Sequence, residues 1–173
     1  VATIGLMMGT MVLTSNAYGA KDYKRCGRIL RRSIPYGFAI GIVCMSVCLF
    51  GEEILLMVGQ TPDIARGGGE VAQVLSIGLL MTGVMLGCQF FLEGINRPLP
   101  GMVFMMIANV LNIFLNWVLV WGYLGFDPMG AVGSAWATSI IRTFLTVAMF
   151  IYIFMKLDRG KYGIFDKVSL KWS

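Results

Sequence analysis

Two stretches of this chain, Val71 to Leu92 and Pro100 to Trp121, contain no charged residue. Each is close to the ~20 residues with which an α-helix crosses the hydrocarbon core of a bilayer. That narrows the folds open to the chain. Lipid offers no water to the backbone, so a segment lodged there must satisfy its own N–H and C=O groups, as a helix does. Three further apolar segments accompany these two: Val1 to about Ala17, about Ile34 to Val58, and about Gly130 to Met155. Glu52 and Glu53 mark a membrane surface near the end of the second, and Arg142 interrupts the last. The expectation is an all-α, polytopic membrane helix bundle. It has about five transmembrane helices, over 1–17, 34–58, 71–92, 100–121 and 130–155, and a basic cytoplasmic linker at 156–173. Only 13% of the residues are charged, against about a quarter in soluble domains, so the polar surface of a soluble fold is missing. Val1 already lies in an apolar run with no charged segment before it. This reads as a truncated N-terminus rather than a signal peptide.

The basic residues orient the bundle. Lys21, Lys24, Arg25, Arg28, Arg31 and Arg32 follow the first segment, Arg97 follows the third, and Lys156, Arg159, Lys161, Lys167 and Lys171 follow the fifth. If each helix crosses once, these twelve of fourteen cations share one side, leaving Arg66 opposite and Arg142 within a helix. Cytoplasmic loops collect Lys and Arg, so loops 21–32, 93–99 and 156–173 are expected in the cytoplasm of a multi-pass plasma-membrane protein. The net charge of +5 is therefore topological and implies no nucleic acid. Within 21–32 the cations recur near helical spacing, as in a short basic helix lying on the anionic leaflet. A gate that ion-pairs with another lobe is the alternative. Trp117, Trp121 and Tyr123 read as an interfacial aromatic anchor. Gly5/Gly9, Gly37/Gly41, Gly83/Gly87 and Gly133/Ala137 are small-xxx-small pairs of the kind that bring membrane helices close.

Catalysis finds little support. There is no His, no phosphate loop, and Gly67-Gly68-Gly69 lacks the lysine and hydroxyl such a loop needs. The four cysteines read as small buried apolar residues, and no cofactor is implied. Chemistry is better sought where polar groups sit at membrane depth. Asn109, Asn112 and Asn116 fall within about 60° of one another on one helix face. They either hydrogen-bond neighbouring helices or line a polar cavity that takes a cation or substrate. Ser134, Thr138 and Arg142 repeat at i, i+4 and i+8. A charge as deep as Arg142, ~18 Å into its helix, costs at least ~2.5 kcal/mol unless it is paired, hydrated or snorkelling.

The ordered set of motifs then resembles one family. Ser15-Asn16-Ala17-Tyr18-Gly19-Ala20-Lys21-Asp22-Tyr23, running on to Arg31-Arg32, resembles the end of the second helix and the basic linker of multidrug and toxic compound extrusion (MATE) transporters. Asn16 and Tyr18 stand where the family usually has Gln and Phe. Phe91-Leu92-Glu93-Gly94-Ile95-Asn96-Arg97-Pro98 is similar to its turn between helices four and five. Ala108-Asn109 with Leu111-Asn112-Ile113-Phe114-Leu115-Asn116 is similar to its helix-five pattern, and Gly130 to Thr138 to its helix-six start. The resemblance implies helices two to six of an N-terminal lobe, part of a twelve-helix transporter of two six-helix lobes. It implies a secondary antiporter that exports small organic cations, drugs or toxins by alternating access, coupled to entry of sodium ions or protons. Helix one and the C-terminal lobe would lie elsewhere in the same polypeptide, with the lipid bilayer as the other partner. The resemblance carries over Asn112 and Asn116 as cavity residues that take part in cation binding, with a sodium ion as a candidate there, and Asn109, Thr138 and Arg142 join the expected cation or substrate cavity as polar groups at membrane depth. Some relatives carry Asp where this chain has Asn116, which speaks against proton coupling there. The rivals are a lipid-linked oligosaccharide flippase of the same superfamily and a membrane structural subunit that transports nothing. No enzyme is expected.

Overall fold

The computed structural model describes residues 2–125, 127–157 and 162. They form six helices: α1 (Ala2–Gly19), α2 (Tyr23–Leu49), α3 (Gly51–Met57), α4 (Pro62–Gly94), α5 (Leu99–Trp121) and α6 (Gly130–Lys156). Four of them, α2, α4, α5 and α6, are long and apolar enough to cross a membrane. The described residues outside the helices are all turns and connections. Large apolar side chains stand on the outer surface, among them Val43, Met106, Val110 and Ile113, each more than 60% exposed. In water such a surface would aggregate, whereas in lipid it is solvated.

The connections at two helix ends follow from local chemistry. After α1, the Asp22 N–H bonds the Ala17 carbonyl and the Lys21 N–H bonds the Tyr18 carbonyl, with Lys21 left-handed at φ 58°. This Schellman cap satisfies carbonyls that a helix end would otherwise orphan. The next residue, Asp22, turns its side chain onto the Arg25 N–H at 3.0 Å and so starts α2. One helix is stopped and the next begun in three residues, which forces a tight hairpin. After α4 the same pair of bonds closes around Asn96, from the Arg97 N–H to Leu92 and from the Asn96 N–H to Glu93. Asn tolerates the φ of 58° there better than most residues.

α4 is the hub, packing against α1, α2, α3 and α6, while α5 rests chiefly on α6. Close approach needs the absence of side chains. A Cβ added to Gly37 would lie 2.5 Å from the Gly83 carbonyl oxygen, and one on Gly41 2.6 Å from that of Leu80. α2 and α4 therefore cross backbone to backbone. Gly133 meets the Leu119 carbonyl in the same way, joining α6 to α5. Two hydroxyls add cross-links, Ser139 donating to the Val74 carbonyl at 2.8 Å and Thr146 to that of Met81 at 3.2 Å.

Several helix bounds differ from the sequence expectation. The basic stretch 21–32 is no separate surface helix. From Tyr23 it is continuous with α2, which carries Pro35 inside it and ends at Leu49. Proline costs the helix one hydrogen bond and is tolerated in membrane helices, where neighbours re-satisfy the freed carbonyl. Beyond Phe50 the chain restarts as the short α3, so the expected span 34–58 is two helices. α4 begins at Pro62, nine residues before the expected 71, because Thr61 is extended and Pro62 takes the first helical position. Gly5 and Gly9 pack against nothing: a Cβ on either would meet no atom within 4 Å. Apart from Lys156, Leu157 and Tyr162, the linker 156–173 lies outside the described residues.

An aromatic cluster gathers four element ends. Tyr18 meets Tyr23 edge-on at 5.7 Å, Tyr23 meets Tyr162 at 5.9 Å, and Tyr162 meets Phe91 at 6.4 Å. The end of α1, the start of α2, the end of α4 and the chain after α6 thus share one end of the bundle. This is also where the exposed Lys21, Lys24, Arg25, Arg28 and Arg97 lie.

Candidate functional site: an amide-lined groove between two helices

At the opposite half of the bundle, α5 and α6 diverge around a groove of about 710 Å³. Asn112 and Asn116 stand on its α5 wall, and Gly130, Ala131 and Ser134 on its α6 wall. Gly130 and Ala131 bring little side chain, which leaves the space open. Gly133, one residue before Ser134, sets the spacing by packing on the Leu119 carbonyl.

The two amides form a unit. Asn116 Nδ2 donates to Asn112 Oδ1 at 3.0 Å and to the Asn112 carbonyl at 2.9 Å. Their i, i+4 spacing places one above the other on the same helix face. This pairing uses the Asn116 amide hydrogens. Among the described residues, no donor meets Asn116 Oδ1 and no acceptor meets Asn112 Nδ2. Both side chains are half-buried. The pair therefore offers the groove a carbonyl oxygen and an amide N–H, with no ionised group.

Not every expected residue joins it. Asn109 is on the same face but is exposed, a turn away from the groove lining. Thr138 is half-buried, and its hydroxyl donates to the Ser134 carbonyl at 2.9 Å, a bond within its own helix. Arg142 is also half-buried, beyond the groove lining, and no hydrogen bond or ion pair to its guanidinium is found among the described residues. The structure thus brings together Asn112 and Asn116 and leaves Asn109, Thr138 and Arg142 outside this groove. It also adds residues absent from the expected set, among them Ser134, Trp117 and Trp121. Trp117 stacks on Tyr123 at 4.5 Å with the rings 15° apart, and this holds its indole beside the amides. The interfacial-anchor reading left out that wall role. The signal was in the spacing, since 112, 113, 116, 117, 120 and 121 form one continuous helical stripe.

Comparison with known proteins places this architecture. Residues 1–118 match the family model MatE. The chain is 38% identical over 167 residues to a probable multidrug resistance protein NorM of Caulobacter vibrioides, covering 96% of this chain and 36% of that protein. It is 31% identical over 153 residues to multidrug and toxin extrusion protein 2 of Mus musculus, covering 88% of this chain and 26% of that protein. The fold matches the crystal structure of a eukaryotic MATE transporter, AtDTX14, with a TM-score of 0.86 at 23% identity over 97% of this chain and 37% of the other. The chain thus spans about a third of the length of these relatives. A family match over most of the chain, an all-helical fold superposing on a solved member, and four membrane-length apolar helices lead to one conclusion: this is a multi-pass membrane chain of the MatE family.

Proposed function

We propose that this chain is part of an N-terminal lobe of a multidrug and toxin exporter, with the α5–α6 groove forming part of the cavity wall that meets the transported cation. The relatives carry that activity in their names. The observation that carries the reading is the paired amides Asn112 and Asn116, which line the groove and hydrogen-bond to no other helix among the described residues. An amide stripe facing hydrocarbon leaves its hydrogen-bonding groups unsatisfied, at a cost of about 1–3 kcal/mol each. Facing a water-filled chamber, the stripe costs nothing and offers polar contacts. Trp117 and Trp121 supply flat apolar walls, and aromatic faces attract organic cations.

The transport cycle follows as an antiport. A sodium ion bound at Asn112 and Asn116 would take carbonyl oxygen from the pair, the oxygen donors that a hard cation prefers. An amide does not titrate, so a proton coupled to this lobe would have to reside elsewhere. The lobe alternates access by bending of its helices. α5 suits this role, since it leans mainly on α6 and is free of the hub helix over most of its length. The end bearing Lys21, Lys24, Arg25, Arg28 and Arg97 is assigned to the cytoplasm of the plasma membrane by the bias of cytoplasmic loops toward cations. The test is drug efflux and ion coupling by the full-length protein carrying Asn112→Ala or Asn116→Ala. Loss of one hydrogen bond to a charged ligand, ~1.5–3 kcal/mol, weakens its binding by about tenfold or more. Export and coupling that remain unchanged in both variants would sink the site assignment.

A further inference from the structure

Arg142 lies in the middle of α6, twelve residues after Gly130 and fourteen before Lys156. Two bonds from hydroxyls set its level. Ser139 reaches Val74 and Thr146 reaches Met81, both across 65 residues, so Arg142 stands abreast of about residue 77 of α4. At ~100° per residue it lies about 160° around the helix from the exposed Ile140 and about 140° from the exposed Val147. Ala135, Leu145, Met149 and Ile153 share its side and are all buried. Arg142 therefore faces into the bundle and away from lipid. No acid of the neighbouring helices waits there. α6 packs against α4 and α5, and α5 has no charged residue. On α4 the carboxylates nearest in level are Glu70 and Glu93, ~10 Å and ~24 Å away along the axis. Glu93 is already engaged, accepting from Gln89 Nε2 at 3.1 Å. No hydrogen bond or ion pair to the Arg142 guanidinium is found among the described residues, and the side chain is only half-buried, so a solute can reach it.

We propose that Arg142 is a specificity residue: it receives the carboxylate of a transported compound whose cationic part lies at the amide groove. This deepens the export reading and rests on it. Ser134, Thr138 and Arg142 form a line down α6. Each step of four residues turns by about 40° and rises ~6 Å, so the line leads from the groove wall to the guanidinium over ~12 Å. The two ends of that line differ in what they take. At the groove, Asn112 and Asn116 bring no ionised group, and Trp117 and Trp121 bring aromatic faces that attract a cation. At the other end, the guanidinium offers two parallel N–H groups to the two oxygens of a carboxylate. A compound with both charges within ~12 Å satisfies both ends. A compound with only the positive charge is repelled by Arg142, so this residue separates the two classes.

The experiment uses two rhodamine dyes, one with a free carboxylate and the other its methyl ester. Binding to the purified full-length protein is read by fluorescence polarisation, and efflux of both dyes is read in cells. Wild type should bind the carboxylate dye more tightly than the ester. Arg142→Met should weaken the carboxylate dye about tenfold or more, the loss of a hydrogen bond to a charged group, and leave the ester bound as well or better. Arg142→Lys keeps the charge and should recover part of the loss. Equal binding of the two dyes by wild type overturns the proposal. So does an Arg142→Met variant that binds the carboxylate dye as wild type does, or that loses both dyes alike. Removing an unpaired charge from membrane depth should leave the fold as stable as before. An Arg142→Met variant that unfolds more readily, or does not fold, shows that a carboxylate elsewhere in the polypeptide already holds the guanidinium, and this too overturns the proposal. Efflux separates the two readings. Selective binding without efflux supports the Arg142 site and refutes the export reading, whereas efflux of both dyes unchanged by Arg142→Met refutes the role of Arg142 alone.

Discussion

Replacing Gly37 by Ala tests whether the α2–α4 crossing holds the bundle together. The new Cβ would lie 2.5 Å from the Gly83 carbonyl oxygen, 2.7 Å from its carbon and 3.0 Å from the Met7 methyl. Two of these neighbours are backbone and cannot swing aside. Real Cβ atoms essentially never come closer than 3.0 Å, so the helices must part by about 0.5 Å, and by about 0.9 Å to reach ordinary contact at 3.4 Å. A gap of 0.5–1 Å forfeits about a quarter to a half of each dispersion contact across the seam. Overpacking itself costs about 1–3 kcal/mol. Alanine is also a better helix former than glycine, by about 1 kcal/mol, and this would mask part of the loss. Gly67→Ala corrects for it: Gly67 lies within α4 with nothing within 4 Å of its added Cβ, so it takes the propensity gain without the clash. The difference between the two variants isolates the clash, expected at about 2–3 kcal/mol with the lost contacts included. The assay is detergent-induced unfolding of the full-length protein with every other cysteine replaced by serine, followed by a thiol-reactive dye at Cys88, which is 0% exposed in the fold. If Gly37→Ala and Gly67→Ala shift the transition alike, the helices do not cross at this point and the reasoning fails.

Two further outcomes are expected of the same unfolding measurement. Asp22→Ala removes the cap on the Arg25 N–H and should cost about 1 kcal/mol, whereas Lys21→Gly relieves a left-handed residue and should stabilise the hairpin; the opposite order of the two would refute the cap assignment. Burial, and then Tyr18, push the Tyr162 phenol above its usual value near 10, although Arg97 opposes this. The folded protein thus favours the protonated ring, so this contribution is fully present below pH ~10 and is lost as the pH rises through the folded value. Tyr162→Phe should match wild type at pH 8 and be the more stable of the two at pH 11; equal losses at pH 11 would show that the ring is not buried.

The residues themselves determined that this is a membrane bundle. Uncharged runs at Val71–Leu92 and Pro100–Trp121 have one low-energy form in lipid, and the clustered cations set the two ends apart. The shared face of Asn112 and Asn116 was equally legible, since helical spacing alone stacks residues four apart. The turn at Asn96 was marked by its own side chain. Other features needed the fold. Gly5/Gly9 and Gly37/Gly41 are the same pattern in the sequence, yet one faces open space and the other meets α4 backbone to backbone. Trp117 and Trp121 share a helix face with the amides, but the groove that makes that face a wall exists only because α6 diverges there. The second span was expected from about Ile34, yet α2 already runs from Tyr23 and carries Pro35 inside it. The reason is the same in each case: periodicity records an angle about one helix axis, and which neighbour fills that angle is decided by contacts between residues far apart in the chain.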